Sequence, residues 1–203
     1  MAVTFTIPEN IVVHLGAPDD ASAQNVTVPF AQYIKNVASS EIYPTWPESA
    51  IRANIYAQIS FALNRIFTEH YRARGYNFDI TNTTQFDQSY VNGRDIFENI
   101  SKIVDDIFND YIVRSGDITP LFARYCNGTT STCPGGLSQW GSVSLAEEGY
   151  TPYRILSGYY GDISIVENAP VGGTVQSYPG TPLRIGSTGD AVKRLQISLN
   201  RIG

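Results

Sequence analysis

The feature that most constrains the fold is a long helical segment that begins at Pro47. Apolar residues recur at helical spacing from Ile51 to Phe67, which is typical of an α-helix. Proline at the first helical position and Gly75 beyond the last apolar position bracket the segment. Small residues on its other faces would let neighbouring elements approach closely: Ala50, Ala53, Ala57 and Ala62. We therefore predict a central core helix that ends before Gly75.

An earlier amphipathic helix, over residues 28–41, ends in a single carboxylate, Glu41. A stiff run with two prolines follows at 42–47 and contains Tyr43 and Trp46. A lone acid between apolar and aromatic neighbours is a setting in which the pKa rises, as acid catalysis requires. The alternative is that Glu41 is a solvated residue at a helix end, which is the default for an arbitrary glutamate.

Strand and helix patterns are mixed in the rest of the chain. Alternating residues at 11–15 and 26–28 predict two short strands of a small sheet. A second helical face runs from Ile96 to Tyr111, and we expect that helix to end near Gly116. Residues 120–125 can form a strand, and Ser138 can cap a further helix that ends before Gly149. The predicted fold class is α+β, a helix-rich single domain with short β-strands.

The composition excludes several classes of partner. The formal net charge is −5, charged residues make up 16% of the chain, and no basic run occurs, so we expect no nucleic-acid partner. No apolar stretch approaches a membrane span, and residues 1–6 lack the pattern of a signal peptide. A surface that depends on Asn, Gln, Ser, Thr and Tyr suits neutral polar polymers such as glycans.

Several motifs carry a resemblance to a known family. They are Val-Pro-x-x-x-Tyr-x-x-x-Val-x-x-x-Glu at 28–41, Trp46-Pro47, Gln88-Ser89-Tyr90-Val91-Asn92-Gly93, Tyr125-Cys126-Asn127-Gly128-Thr129-Thr130 and Gly136-Leu137-Ser138-Gln139-Trp140-Gly141. Over roughly residues 25 to 166 the chain resembles the SpoIID/LytB sporulation and cell-wall domain. The resemblance implies a lytic transglycosylase that acts on the glycan strands of peptidoglycan.

Two phrases, at 36–41 and 140–146, look especially like the germination-specific spore-cortex-lytic branch of clostridia. That narrower likeness implies a spore cortex or cell-wall location and a substrate containing muramic-δ-lactam. Residues 183–200 resemble the opening of a peptidoglycan-binding module, of which only one helix precedes Gly203. We expect a catalytic domain at 1–167, a linker at 168–180 and the first part of an incomplete binding module at 181–203.

The resemblance assigns Glu41 as the single acid and base of the reaction, with Tyr43 and Trp46 able to desolvate it. It also implies a glycan-binding cleft with the following substrate-binding residues: Tyr43, Tyr125, Asn127, Thr129, Thr130, Ser138 and Gln139. The structural alternatives are that Ser138 only caps a helix and that Asn127 only makes a turn. Gln88 and Tyr90 match a family motif, but a packing role is favoured for both.

Some relatives carry a zinc site built from His and Cys in the segment that matches residues 79–90, where this chain has neither residue type. Its two histidines, His14 and His70, have no ligand spacing, so we predict no metal and no cofactor. Cys126 and Cys133 could form a short disulfide or remain as thiols. Two other functions stay open, a muramidase that uses water and a non-catalytic peptidoglycan-binding or scaffold protein, and the oligomeric state is not predicted.

Overall fold

A computed structural model of the chain describes residues 5–172, 184–188 and 192. Within these residues the fold is α+β, as predicted, and five α-helices lie among short strands. In chain order the elements are β1 (Asn10–His14), β2 (Asn25–Pro29), α1 (Phe30–Glu41), α2 (Glu48–Phe67), a 3₁₀ turn (Arg72–Arg74), β3 (Ile80–Thr81), α3 (Glu98–Ile107), β4 (Tyr111–Arg114), β5 (Tyr125–Cys126), β6 (Leu137–Ser138), α4 (Gln139–Glu147), α5 (Pro152–Tyr160) and β7 (Ile163–Val166).

The described strands form three small sheets. In the first, of order β2-β1-β3, β1 pairs antiparallel with β2 and parallel with β3. This confirms the two short strands predicted near the start of the chain. The second sheet pairs β4 with β7 antiparallel, and the third pairs β5 with β6 in parallel. The β5–β6 pair is a single two-residue ladder, and it holds Tyr125 beside the start of α4.

Helix α2 is the central element, as predicted. Its residues contribute to both hydrophobic clusters of the domain, for example Ile55 to one and Ala57 to the other, and neither is exposed to solvent. Helices α1 and α3 pack on one side of α2, and α4 and α5 pack on the other. The alanines explain this crowding, because a side chain without atoms beyond Cβ lets a second helix approach closely.

One predicted helix end is confirmed and one is wrong. Helix α2 ends at Phe67, before Gly75 as predicted, and a separate 3₁₀ turn leads to Gly75, whose φ of +89° favours glycine. Helix α3 ends at Ile107, and the apolar residues at 111–113, predicted to be helical, instead form buried strand β4. A short apolar run that is buried on both faces has no distinctive period, so only its pairing with β7 decides its conformation.

The segment that follows β7 packs on the domain. The N–H of Asn168 donates to Asp110 Oδ1 at 2.7 Å, and the N–H of Ile7 donates to the carbonyl of Pro170 at 2.8 Å. Ala169 is 3% exposed, so the start of the predicted linker contributes to the core. The remainder of that linker, at 173–180, and most of the predicted binding module at 181–203 lie outside the described residues.

No helix in the described part of the chain is both long enough and apolar enough to cross a bilayer.

Candidate active site

Glu41 is the last residue of α1. The helix ends there because Ile42 is extended, with a φ of −127°, and because Pro44 disfavours helical conformation in the residue before it. The N–H of Ile42 still donates to the carbonyl of Ala38 at 3.0 Å. The last turn of α1 contains no basic residue, and the carbonyl end of a helix carries partial negative charge. The position therefore disfavours the charged form of the Glu41 carboxyl group.

Three hydrogen-bond donors from separate parts of the chain converge on the Glu41 carboxylate. The backbone N–H of Ser89 donates to Oε1 at 2.7 Å. The hydroxyl of Tyr125 donates to Oε2 at 2.6 Å, and Nε2 of Gln58 donates to the same oxygen at 2.9 Å. The three donors belong to the segment before α3, to β5 and to the middle of α2, so the tertiary fold assembles the site.

Burial raises the pKa of Glu41 from 4.5 to about 7. The hydrogen bonds from Ser89, Tyr125 and Gln58 act in the opposite direction, because each stabilises the carboxylate, but the desolvation effect is larger. Glu41 is therefore not the solvated helix-end residue of the alternative interpretation. At neutral pH the carboxyl group populates both protonation states, which suits a group that must give up and then recover a proton.

A buried layer of polar side chains fixes the Tyr125 hydroxyl. Gln88 Nε2 donates to Tyr125 Oη at 2.9 Å, and the hydroxyl of Tyr33 donates to Gln88 Oε1 at 3.0 Å. Gln88 and Tyr33 are both 0% exposed. Burial raises the pKa of the Tyr125 and Tyr33 phenols well above the usual value, so both remain protonated donors at neutral pH. Gln88 therefore does more than pack, since it orients a group that contacts Glu41.

Two adjoining cavities open at Glu41. The larger has a volume of about 400 Å³ and is lined in part by Ser89, Tyr125 and Thr84. The smaller has a volume of about 270 Å³ and extends past Tyr43 and Trp140. Both cavities share four lining residues, Ser40, Glu41, Asn127 and Gln139. The carboxyl group of Glu41 thus lies where the two cavities meet.

The predicted substrate-binding residues of the 125–139 region separate into two groups. Tyr125, Asn127 and Gln139 line the cavity beside Glu41, and the Gln139 side chain makes no hydrogen bond to another described residue. Thr129 and Thr130 are exposed, and their backbone N–H groups donate to Asn127 Oδ1 at 2.8 and 3.2 Å, which closes a turn. These two threonines line neither cavity.

Ser138 has a structural role in this geometry. It is the N-cap of α4, and its hydroxyl accepts the N–H of Gly141 at 2.9 Å. It borders a separate surface pocket with Tyr159 and lines neither of the cavities at Glu41. Gly128, with a φ of +83°, passes so close to Ser138 that any Cβ there would collide with the serine side chain. The tight packing of β6 against the 127–130 turn depends on this glycine.

Tyr43 lines the smaller cavity together with Glu41 and is itself 57% exposed. Its ring lies against two tryptophans, with ring centroids 5.7 Å from Trp46 and 5.8 Å from Trp140. Trp46 and Trp140 meet edge to face at 4.9 Å. The three rings form an aromatic wall of the smaller cavity, and the desolvation of Glu41 by Tyr43 and Trp46 stays a prediction.

The two cysteines form a disulfide, which settles the pairing left open by the sequence. The bond closes the loop between β5 and β6, and Cys126 lines the larger cavity next to Tyr125. Neither cysteine is therefore a thiolate nucleophile or metal ligand in this state.

Sequence reasoning missed Gln58 as a partner of Glu41. A signal was present, because Gln58 is a polar residue between Ala57 and Ile59 in a helix predicted to be buried. Its side chain is 0% exposed, and such a residue needs a hydrogen-bonding partner. Ser89 was identified only as part of a motif, because a backbone N–H contact leaves no trace in side-chain chemistry.

The two histidines have partners of their own. The His14 ring stacks on Phe78 and contacts Asn25 Oδ1 at 2.7 Å, and His70 Nε2 lies 3.3 Å from an Arg74 nitrogen. Among residues 5–172, 184–188 and 192, no group of three or more His, Cys, Asp or Glu side chains could hold a metal ion. The absence of a zinc site and of a cofactor stays a prediction.

Comparison with known proteins identifies one family. The model of the family described as SpoIID, Stage II sporulation protein, matches residues 19–107. The matched region contains Glu41 and its partners Gln58 and Ser89, whereas Tyr125 lies beyond it. No curated protein matches the chain. On the basis of this match, residues 19–107 are similar to the SpoIID family of stage II sporulation proteins.

Proposed function

We propose that this protein is a peptidoglycan lytic transglycosylase in which Glu41 is the only acid and base. The observation that supports this proposal is a half-buried carboxyl group with a pKa of about 7 at the junction of two cavities. The SpoIID family is involved in sporulation and cell-wall degradation, which agrees with a glycan-cleaving role.

The hydrogen bonds indicate which oxygen of Glu41 transfers the proton. Oε2 accepts two hydrogen bonds, from Tyr125 and Gln58, so both of its acceptor positions are filled. Oε1 accepts only the N–H of Ser89 and keeps one position free. The proton of the acid form therefore belongs on Oε1, where it can reach the substrate.

The proposed reaction needs no water. Glu41 Oε1 gives its proton to the glycosidic oxygen between N-acetylmuramic acid and N-acetylglucosamine, and the bond from that oxygen to the muramoyl C1 breaks. The muramoyl 6-hydroxyl then attacks C1, and the Glu41 carboxylate takes the proton of that hydroxyl. The product is a 1,6-anhydro-muramoyl end, and the carboxyl group returns to its acid form.

The surroundings of Glu41 support a mechanism with one carboxyl group. Asp87 also lines the larger cavity, but its side chain is 0% exposed and both of its oxygens are occupied. Oδ1 accepts from Arg65 Nε at 2.8 Å, and Oδ2 accepts from the hydroxyl of Tyr71 at 2.6 Å and the N–H of Thr81 at 2.9 Å. Asp87 is thus held in a structural network, and a retaining glycosidase would need a second free carboxylate.

The cavity lining suits a neutral, hydroxyl-rich polymer. Asn127 and Gln139 provide amide groups beside Glu41, and acetamido and hydroxyl groups of a sugar chain pair well with amides. We therefore include Tyr43, Tyr125, Asn127 and Gln139 among the glycan-binding residues and assign Thr129, Thr130 and Ser138 to support of the loop.

We further propose that the substrate is peptidoglycan of the spore cortex or cell wall. In this proposal residues 1–167 are the catalytic domain, and the chain beyond 180 is part of a binding module.

The experiment is mass spectrometry of glycan fragments released from purified cortex peptidoglycan by the unaltered protein and by Glu41→Gln. We expect anhydro-muramoyl ends from the unaltered protein and none from Glu41→Gln. Glu48→Gln is a matched control, because Glu48 lies on the exposed side of α2 and pairs with Arg52 at 2.7 Å.

Each other outcome contradicts a stated part of the proposal. Reducing muramoyl ends would identify a muramidase that uses water. Binding to peptidoglycan without any fragments would identify a non-catalytic binding protein. Full activity in Glu41→Gln would show that another residue is the acid.

A further inference from the structure

The smaller cavity has an aromatic wall with exposed ring area. Tyr43 is 57% exposed and Trp140 is 39% exposed, and both rings contact the nearly buried Trp46. Packing on Trp46 fixes the orientation of the two outer rings, whose planes are tilted by 46° to each other, so they form a preorganised but angled aromatic wall. The C–H face of a pyranose ring packs well on an exposed aromatic face. The cavity volume of about 270 Å³ suits a single amino-sugar residue.

A guanidinium group lies on the lining of the same cavity. Arg94 Nη1 donates to the hydroxyl of Ser40 at 2.8 Å, and Nε donates to the carbonyl of Asp95 at 3.2 Å. The guanidinium also lies 5.8 Å from the ring centroid of Phe97. Arg94 forms no ion pair with a carboxylate in the described part of the chain, although six other ion pairs occur there.

The segment that carries Arg94 is held in place by α1. The Asn36 side chain donates to the carbonyl of Val91 at 2.8 Å and accepts the N–H of Val91 at 2.9 Å. The hydroxyl of Ser39 accepts the N–H of Phe97 at 3.3 Å. The polar face that precedes Glu41 therefore positions Arg94 relative to the acid.

The charge on this cavity depends on the state of Glu41. Its lining holds one acidic side chain, Glu41, and one basic side chain, Arg94. The hydrogen bonds of Glu41 go to Ser89, Tyr125 and Gln58, so Arg94 is not its partner. When Glu41 carries the proton that it will transfer, the guanidinium is the one formal charge on the lining. The reactive state of the cavity is thus suited to a ligand with a negative charge.

We infer that the smaller cavity is a subsite for an amino-sugar residue that carries a carboxylate substituent. The sugar ring packs against the angled wall of Trp140 and Tyr43, and the carboxylate pairs with Arg94. In peptidoglycan this chemistry is that of a muramoyl residue with a free lactyl carboxylate, so the identity of the sugar rests on the proposed function. A muramic-δ-lactam residue is neutral and would lose the contact with Arg94.

The test measures binding separately from cleavage. It uses the Glu41→Gln variant, so that the glycan stays intact and the residue at position 41 is neutral. The ligands are peptide-stripped glycan oligosaccharides with free lactyl carboxylates and the same oligosaccharides with those carboxylates converted to methylamides. Trp46 and Trp140 are the two tryptophans of the chain, so a titration of intrinsic fluorescence reports directly on this cavity.

We expect the carboxylate form to bind about tenfold more tightly than the methylamide form, as one charge-assisted hydrogen-bonded pair provides. Adding Arg94→Gln should make the two dissociation constants equal, whereas Arg94→Lys should keep part of the preference. The matched control is Arg74→Gln, because Arg74 is exposed and lines neither cavity, and it should keep the full preference.

Equal affinity for both ligands before any change at Arg94 would overturn the inference. Persistence of the preference in Arg94→Gln would also overturn it. These results are independent of the proposed reaction: a preference without any cleavage by the unaltered protein would refute the transglycosylase alone. Cleavage to anhydro ends without a preference would refute the subsite alone.

Discussion

Desolvation raises the pKa of Glu41, and the hydrogen bonds from Ser89 and from the hydroxyl of Tyr125 lower it, so removal of that hydroxyl should change the pH dependence of the reaction. In Tyr125→Phe the ring can keep its edge contact with Phe61, whose centroid lies 6.2 Å away, while the 2.6 Å hydrogen bond to Glu41 Oε2 is lost. That bond stabilises the carboxylate and so lowers the pKa of Glu41. Its loss must therefore raise the pKa further above the present value of about 7.

The size of the shift follows from the type of bond. A hydrogen bond to a charged group contributes about 1.5 to 3 kcal/mol, and about 1.4 kcal/mol corresponds to one pKa unit. Because the donors Ser89 and Gln58 remain, we expect an effect at the lower end of that range. The pKa of Glu41 should then increase by about one unit. Activity that requires the acid form of Glu41 should then persist to a pH about one unit higher.

The assay is the pH profile of kcat/KM for release of fragments from peptidoglycan. The loss of activity on the alkaline side reports the pKa of the acid in the free enzyme. Tyr76→Phe is a matched control, because Tyr76 lines neither cavity and its hydroxyl makes no hydrogen bond to another described residue. An alkaline limb that stays in place or moves to lower pH in Tyr125→Phe would refute this explanation of the pKa of Glu41.

Three further perturbations test other parts of the structure. The pKa of Glu41 is about 7 in the folded state against 4.5 for an unperturbed glutamate, so Glu41 contributes stability that is present below pH 4.5 and is lost as the pH rises to 7. In denaturant unfolding, the free energy of unfolding of the unaltered protein should therefore fall by up to about 3 kcal/mol relative to that of Glu41→Gln across this range. If the free energies of the two proteins change with pH in parallel, the assignment of the raised pKa to Glu41 is wrong. Replacing Cys126 and Cys133 by serine should lower the free energy of unfolding by about 2 kcal/mol and expose the loop to proteases, whereas unchanged protease resistance would show that the disulfide is not needed there. Asn36→Ala should cost about 2 kcal/mol in the same unfolding assay, because it removes both bonds to the Val91 backbone, and a cost near zero would mean that water replaces them.

The sequence predicts the parts of the fold that have a long, regular pattern. The period of α2 extends over five turns, and the alanines on its other faces indicate that it is buried. The capped start of α4 at Ser138 also has a recognisable local signal. Strand β4 has no such local signal, because a run of three buried apolar residues fits a helix as well as a strand. Its conformation is decided by its pairing with β7. Helix α5, which begins with Thr151 as its N-cap and Pro152, was not predicted although both signals were present.

The candidate site shows the same division. Glu41 could be proposed from its position between an amphipathic helix and a proline-rich aromatic run, and Tyr125 from its motif. The hydrogen bond between them could not be predicted, because it joins Glu41 Oε2 at the end of α1 to the hydroxyl of Tyr125 on β5, 2.6 Å away. The role of Gln58 also depends on tertiary packing, since only the crossing of α1 and α2 brings its amide to Glu41. The surroundings of Tyr43 depend on tertiary packing as well, because its ring lies against Trp140, which is distant in the sequence.

The most direct test of the central claim follows the fate of water during cleavage. Peptidoglycan is digested in water enriched in heavy oxygen, and the new muramoyl ends are analysed by mass spectrometry. A reaction in which Glu41 serves as the only acid and base predicts anhydro ends that are lighter by one water than hydrolysed ends and carry no heavy oxygen. Reducing ends that contain heavy oxygen would contradict the account, because water, and not the muramoyl 6-hydroxyl, would then be the nucleophile.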